Sequence, residues 1–193
     1  MPIVTVRHFT EEDIPLRTEL LREARFTANL TDFAVGAGDD GLIARQHRTI
    51  TEEHRTKRMF TLCGPRGRVM GFAWITSIDW RAQRCELSFG VLPRDRGLGA
   101  LAVYAVHKHL RDELNMRVIV NQVLTHNTMF LSAEALEAQH QVRCERDSYT
   151  VGEWRTACYW TLSDEDVRKH EASAGQRRRE LAERIRARIE ARS

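Results

Sequence analysis

The four cysteines of this chain, Cys63, Cys85, Cys144 and Cys158, form no C-x-x-C pair. Their spacing reads as buried, reduced thiols of a cytosolic protein. Long apolar runs are lacking as well. None approaches the roughly 20 residues of a membrane span, and the N-terminus has no signal-peptide apolar core. A cytoplasmic chain with no membrane partner is therefore expected. Charge of one sign is also scarce: 30 basic against 27 acidic residues leaves a net +3. That balance is too even to argue for nucleic acid as a partner. What is present is 193 residues with 42% hydrophobic content. This is enough for one full core and an appendage.

The stretch from Cys85 to Tyr104 organises the rest. Cys85 to Leu92 alternates as a strand, with Leu87, Phe89 and Val91 on one face and Glu86, Ser88 and Gly90 on the other. Pro93 cannot donate to a ladder and ends it. Arg96-Gly-Leu-Gly99 follows, and Ala100 to Leu110 has helical periodicity. Two glycines before a helix N-terminus leave backbone N–H groups uncovered. With the positive end of the helix dipole they form an anion site, and Arg96 beside it points to phosphate.

Val91-x-Pro93-x-x-Arg96-Gly97-x-Gly99, preceded by a strand that carries Glu86, resembles the acyl-CoA site of the GNAT acetyltransferase superfamily. The resemblance covers residues 4 to 162. It implies an α/β (α+β) fold with a mixed, mostly antiparallel sheet in the order β-α-α-β-β-β-α-β-α-β-β, splayed at the fourth and fifth strands. It further implies that the donor substrate is acetyl-CoA or another acyl-CoA, with no metal. By the same resemblance, Val91, Leu92, Arg96, Gly97, Leu98, Gly99, Ala100 and Leu101 would hold that donor. Asn127 would contact pantetheine, and Phe130 would flank adenine or pantetheine. The family loop reads Gln/Arg-x-x-Gly-x-Gly/Ala. Framed from Arg96 by the proline spacing, its last position falls on Leu101. A frame from Arg94 fits through Gly99 but breaks the proline spacing.

The remaining chain reads in order. Ile3 to Val6 is a strand, and Thr10-Glu-Glu-Asp13 caps a helix carrying Leu16, Leu20, Leu21 and Ala24. Residues 27 to 41 read as a loop. Its Gly36-x-Gly38-x-x-Gly41 lacks the βαβ unit of a dinucleotide site, and Asp39 and Asp40 would oppose phosphate. Ile43 to Lys57 reads as a second helix, with His47 and His54 too far apart for a metal pair. Met59 to Cys63 and Val69 to Asp79 are strands, with Trp74 and Trp80 expected to pack in the core or to wall an acceptor pocket. Within the helix after Gly99, His107 and His109 point to different sides. Val118 to Leu124 is a strand, Thr128 to Gln139 a helix, and Val142 to Tyr149 with Trp154 to Leu162 a hairpin. Asn127, the pair Arg146-Asp147 and Gly152-x-Trp154 resemble the ribosomal-protein-alanine branch of the family. Residues 163 to 193 form an arginine-rich helical extension with one stripe of Leu181, Ile185 and Ile189. That stripe is too little core for independent folding, so it docks on the domain, pairs with a second copy of the chain or is loosely ordered.

Amide formation from a thioester requires alignment, a hold on the carbonyl oxygen and a base for the ammonium proton. Glu86 is the candidate base, because strand parity directs it away from the core face. Its ordinary alternative is a strand salt bridge. Backbone N–H groups near Gly90 and Val91 would hold the carbonyl. The tyrosine that usually protonates the leaving thiolate is missing, since none lies between Tyr104 and Tyr149. Ser132, Glu134 and water remain open for that role. The expected reaction is transfer of a short acyl group to a primary amine of a small molecule or of a protein N-terminus. An acyl carrier protein as donor and a non-catalytic acyl-CoA-binding regulator are the alternatives.

Overall fold

The computed structural model describes residues 4–29, 38–52, 55–127, 141–150, 152–163 and 165. The chain divides into two compact units, Met1–Thr161 and Leu162–Ser193. The first unit holds strands β1 (Thr5–His8), β2 (Arg58–Cys63), β3 (Val69–Asp79), β4 (Arg84–Val91), β5 (Val118–Leu124), β6 (Val142–Thr150) and most of β7 (Glu153–Ser163). Its helices are α1 (Ile14–Arg22), the single turn α2 (Ala24–Thr27), α3 (Asp39–Thr51) and α4 (Gly99–Asp112). The helix expected over 128–139 lies outside the described residues.

The seven strands form one sheet in the order β1-β2-β3-β4-β5-β7-β6. The four pairs β1–β2, β2–β3, β3–β4 and β6–β7 are antiparallel, and β4–β5 is parallel. A parallel neighbour needs a crossover, and α4 supplies it. Each sheet face then buries an apolar layer. On one face Ile14, Leu20 and Leu21 of α1 and Leu42 of α3 pack with Phe26, Phe72 and Trp74. On the other, Ala102, Val106 and Leu110 of α4 pack with Leu87, Val91 and Ile119. Each such aliphatic or aromatic side chain contributes roughly 1.5–3 kcal/mol by leaving water.

The helix expected over 43–57 runs instead from Asp39 to Thr51. Gly38 is its N-cap, and Asp39 and Asp40 fill its first turn, where acids suit the helix dipole. Asp39 also accepts a hydrogen bond from Arg22 Nε at 2.7 Å. These tertiary and end effects outweigh the helix cost of Gly41, which made the segment read as loop. The two ends of α1 are fixed differently. Pro15 occupies its first turn, and buried Asp13 before it accepts from both Nη atoms of Arg7 at 2.7 Å and from Thr61 Oγ1 at 2.8 Å. Burial pushes the Asp13 carboxyl up, but the donors of Arg7, Thr10 and Thr61 outweigh it and hold it below the usual carboxylate range.

His107 and His109 of α4 are both buried on ring nitrogens that make no hydrogen bond. His109 stacks edge-on against Phe60, with ring centroids 5.1 Å apart. Burial holds the His107 imidazole down to about 4, against a partial lift from Asn121, and moves His109 in the same direction. The sign follows: the unfolded chain takes up the His107 proton first, near pH 6.5, so stability is full above that pH and falls between 6.5 and 4. A loss of about 2 kcal/mol is expected between pH 7 and 5. Urea unfolding at these two pH values checks it. His107→Gln should remove most of the difference; an unchanged difference would assign it to other groups.

Candidate active site

Strand β4 runs between two neighbours, but only for half its length on one side. Its pairing with β3 continues through Val91, opposite Gly71. Its parallel pairing with β5 covers Arg84 to Leu87, opposite Val118 to Asn121, and stops there. From Ser88 to Val91 β4 is therefore no longer paired with β5, and the two parallel strands part there. Leu87, Phe89 and Val91 face the α4 layer. Glu86, Ser88 and Gly90 face the α1 side. A Cβ on Gly90 would come within 2.4 Å of the Phe26 ring and 3.1 Å of Leu20. Glycine is needed here because the aromatic ring occupies that space. Glu86 lies on the same face, opposite Thr76 of β3 and Val120 of β5, and is exposed.

Beyond Leu92 the chain turns through a 3-10 segment, Pro93–Leu98, straight into α4. The sequence suggested an irregular glycine turn and a helix from Ala100; the helix begins at Gly99, with Leu98 as N-cap. No side chain caps it. The positive dipole end of α4 therefore lies at this turn with no side chain bonded to it. A Cβ on Gly99 would meet nothing within 4 Å, so there is open space against the backbone. Leu101 is 42% exposed, on the side of α4 away from the core.

The turn is held by Arg94 and by two residues the sequence did not single out, Arg68 and Asp95. Asp95 is buried, accepts from Arg68 Nη1 at 2.8 Å and also from Arg68 Nη2. The Arg68 hydrogen bonds hold its carboxyl below the usual range. Arg94 Nε lies 3.4 Å from the same carboxylate, and its Nη2 donates to the Val69 carbonyl at 3.0 Å. Arg94 is thereby engaged in bracing the turn against β3.

The opposite face is walled by several elements. Trp74 is buried and carries the Arg17 guanidinium 4.7 Å from its ring centroid. Arg17 is buried as well and donates to Gln46 Oε1 at 3.1 Å, while Gln46 Nε2 donates to Thr18 Oγ1 at 2.8 Å. His126, in the turn after β5, bonds the Ala28 carbonyl at 2.8 Å and ties that turn to the end of α2. Trp80 does not pack in the core: it is 42% exposed, donates to the Arg55 carbonyl at 2.8 Å and stacks with Arg58. Cys85 is fully buried, and burial followed by the Glu86 charge pushes its thiol up to about 12. It is no nucleophile at neutral pH.

Asn127 donates its backbone N–H to the Leu124 carbonyl at 2.9 Å, at the end of β5. Phe130, Ser132 and Glu134 lie outside the described residues, as does His54. Among the described residues no group of His, Cys, Asp and Glu is placed to hold a metal ion. No described helix is long and apolar enough to cross a membrane. The sequence also gave no sign of the cluster Gln122, Asp147 and Tyr159, because its members come from three strands.

No protein-family model and no curated protein matches this sequence. Solved structures do match the fold. The spermidine N-acetyltransferase from Vibrio cholerae, in complex with CoA and spermine, superposes with a TM-score of 0.73 at 12% identity, over 85% of this chain and 97% of that one. Mutant forms of the spermidine/spermine N-acetyltransferase from the same organism give 0.69 at 14% identity, over 87% and 98%. A probable acetyltransferase gives 0.65 at 14% identity, over 86% and 96%. The mostly antiparallel seven-stranded sheet, with its parallel β4–β5 pair, is the fold of these acetyltransferase structures.

Proposed function

We propose that the protein is an N-acyltransferase that moves an acetyl or other short acyl group from CoA to a primary amine. The observation that carries this reading is the juxtaposition within one segment: the stretch of β4 where β5 parts from it, Ser88 to Val91, leads through one short turn into the N-terminus of α4, which no side chain caps. An extended pantetheine arm suits the first, and a pyrophosphate suits the second. The fit is supported by the open space over Gly99 and by the outward turn of Leu101. In this reading Val91 and Leu92 flank the arm, and the backbone from Arg96 to Leu101 holds the phosphates. Asn127 completes the described part of the donor site.

The donor supplies an activated thioester carbonyl. On the other face Glu86 accepts the proton of the acceptor ammonium, directly or through water. The free amine attacks the carbonyl carbon, a C–N bond forms and the C–S bond breaks. The thiolate leaves with the bonding pair, the new C–N nitrogen gives up its second proton, and that proton reaches the sulfur through water or a side chain near Asn127. Likeness to polyamine acetyltransferases supports a small amine as acceptor. The likeness of Asn127 and Arg146-Asp147 to the ribosomal-protein-alanine branch supports a protein N-terminus as the competing acceptor. Thiol release from acetyl-CoA with a panel of small amines and N-terminal peptides tests the proposal. CoA binding without turnover on any amine would leave only a binding protein.

A further inference from the structure

Asp147 sits in a break of the β6–β7 ladder, where the register shifts between Cys144 and Ser148, and the preceding Arg146 has a φ of 52°. Its Oδ2 accepts from Tyr159 Oη at 2.8 Å and from Gln122 Nε2 at 2.8 Å, and Gln122 also bonds the Tyr159 hydroxyl. Both donors are neutral, so the carboxylate is held in place without being neutralised. Its other oxygen, Oδ1, makes no hydrogen bond among the described residues, and the residue is exposed. The face it occupies follows from the register. Glu86 pairs with Val120, so Gln122 projects on the Glu86 side of the sheet two residues further along β5, past the point where β4 and β5 part. Tyr159 and Asp147, bonded to Gln122, stand on that side as well. From strand spacing the two carboxylates are on the order of 10 Å apart. The cation on this face of β7, Arg155, is paired with Glu153 at 2.9 Å.

We propose that Asp147, oriented by Tyr159 and Gln122, anchors a second cationic group of the acceptor, so that the substrate is an amine with another positive charge several bonds away. This rests on the transferase reading above, in which the reacting amine lies at Glu86. A fixed carboxylate costs the ligand little ordering, and a charge-assisted contact to it adds selectivity over an uncharged chain end.

The test compares α,ω-diaminoalkanes of four to eight carbons with monoamines of the same length, using full-length protein and acetyl-CoA. Wild-type protein should favour at least one diamine roughly five- to tenfold in kcat/KM, and the preference should fade in high salt. Asp147→Asn keeps one oxygen able to accept from Tyr159 and Gln122, removes the charge and should bring the ratio close to one; Tyr159→Phe, which releases the carboxylate, should lower it part of the way. A wild-type ratio of one, or a ratio that survives Asp147→Asn, overturns the anchor. If no amine is acetylated, the transferase reading fails by itself. Calorimetry of the CoA-saturated protein then decides: diamine binding lost in Asp147→Asn sustains the anchor, and absent or unaltered binding overturns it.

Discussion

Glu86→Gln is expected to lower turnover by ~10²-fold or more while leaving CoA affinity nearly unchanged, as for the loss of a general base. The substitution keeps shape and hydrogen-bonding reach and removes only the ability to hold a proton. Folding should not suffer, because Glu86 is exposed at the parting of β4 and β5 and is held by no ion pair among the described residues. Its neighbours on that face are Thr76 and Val120, which offer no substitute base. An amine acceptor reaches the site largely as its ammonium ion. The wild-type rate should therefore rise with pH as the free amine becomes available. Steady-state kinetics across pH, with calorimetry of CoA, gives both quantities. Wild-type turnover in the variant at neutral pH would remove Glu86 from the chemistry.

The strand-face position of Glu86 could be read in the sequence because the evidence for it is local. Alternation from Cys85 to Leu92 fixes which side chains share a face, and the structure keeps that parity. Strands with strong β-branched or aromatic runs were equally legible: β3 over Val69–Asp79 and β5 over Val118–Leu124 have the expected bounds. Other features depend on contacts distant in sequence. Leu42 buries against α1 and draws Asp39–Gly41 into α3, which no local rule favours for a glycine-rich segment. Trp80 looked apolar enough for a core, but it lies past the turn-facing end of β3, where Arg55 and Arg58 give it polar partners. The ion pair of Arg68 with Asp95 spans 27 residues, and the bond from Tyr159 to Gln122 spans 37. Such pairs carry no periodicity and become visible only when the sheet brings their strands together.

Gly99→Asp is expected to abolish measurable CoA binding while the domain stays folded. These two outcomes normally conflict for a glycine replacement, and here the geometry separates them. A Cβ at position 99 meets nothing within 4 Å, so no clash opposes the side chain. Position 99 opens α4 with no existing side-chain cap, and a carboxylate in the first helical turn is favoured by the dipole. Thermal stability should be unchanged or slightly higher. The same carboxylate would occupy the space over the helix N-terminus and satisfy the N–H groups that a pyrophosphate requires. It would also place like charge beside any phosphate that remained. Gly99→Ala is the companion variant, adding the Cβ without the charge. It should bind CoA more weakly than wild type but measurably, because only close approach is impaired. Calorimetry with CoA on both variants, beside their unfolding midpoints, reads the difference. Unchanged affinity in folded Gly99→Asp would place the donor phosphates away from α4, and the parting of β4 from β5 would then have to be explained without them.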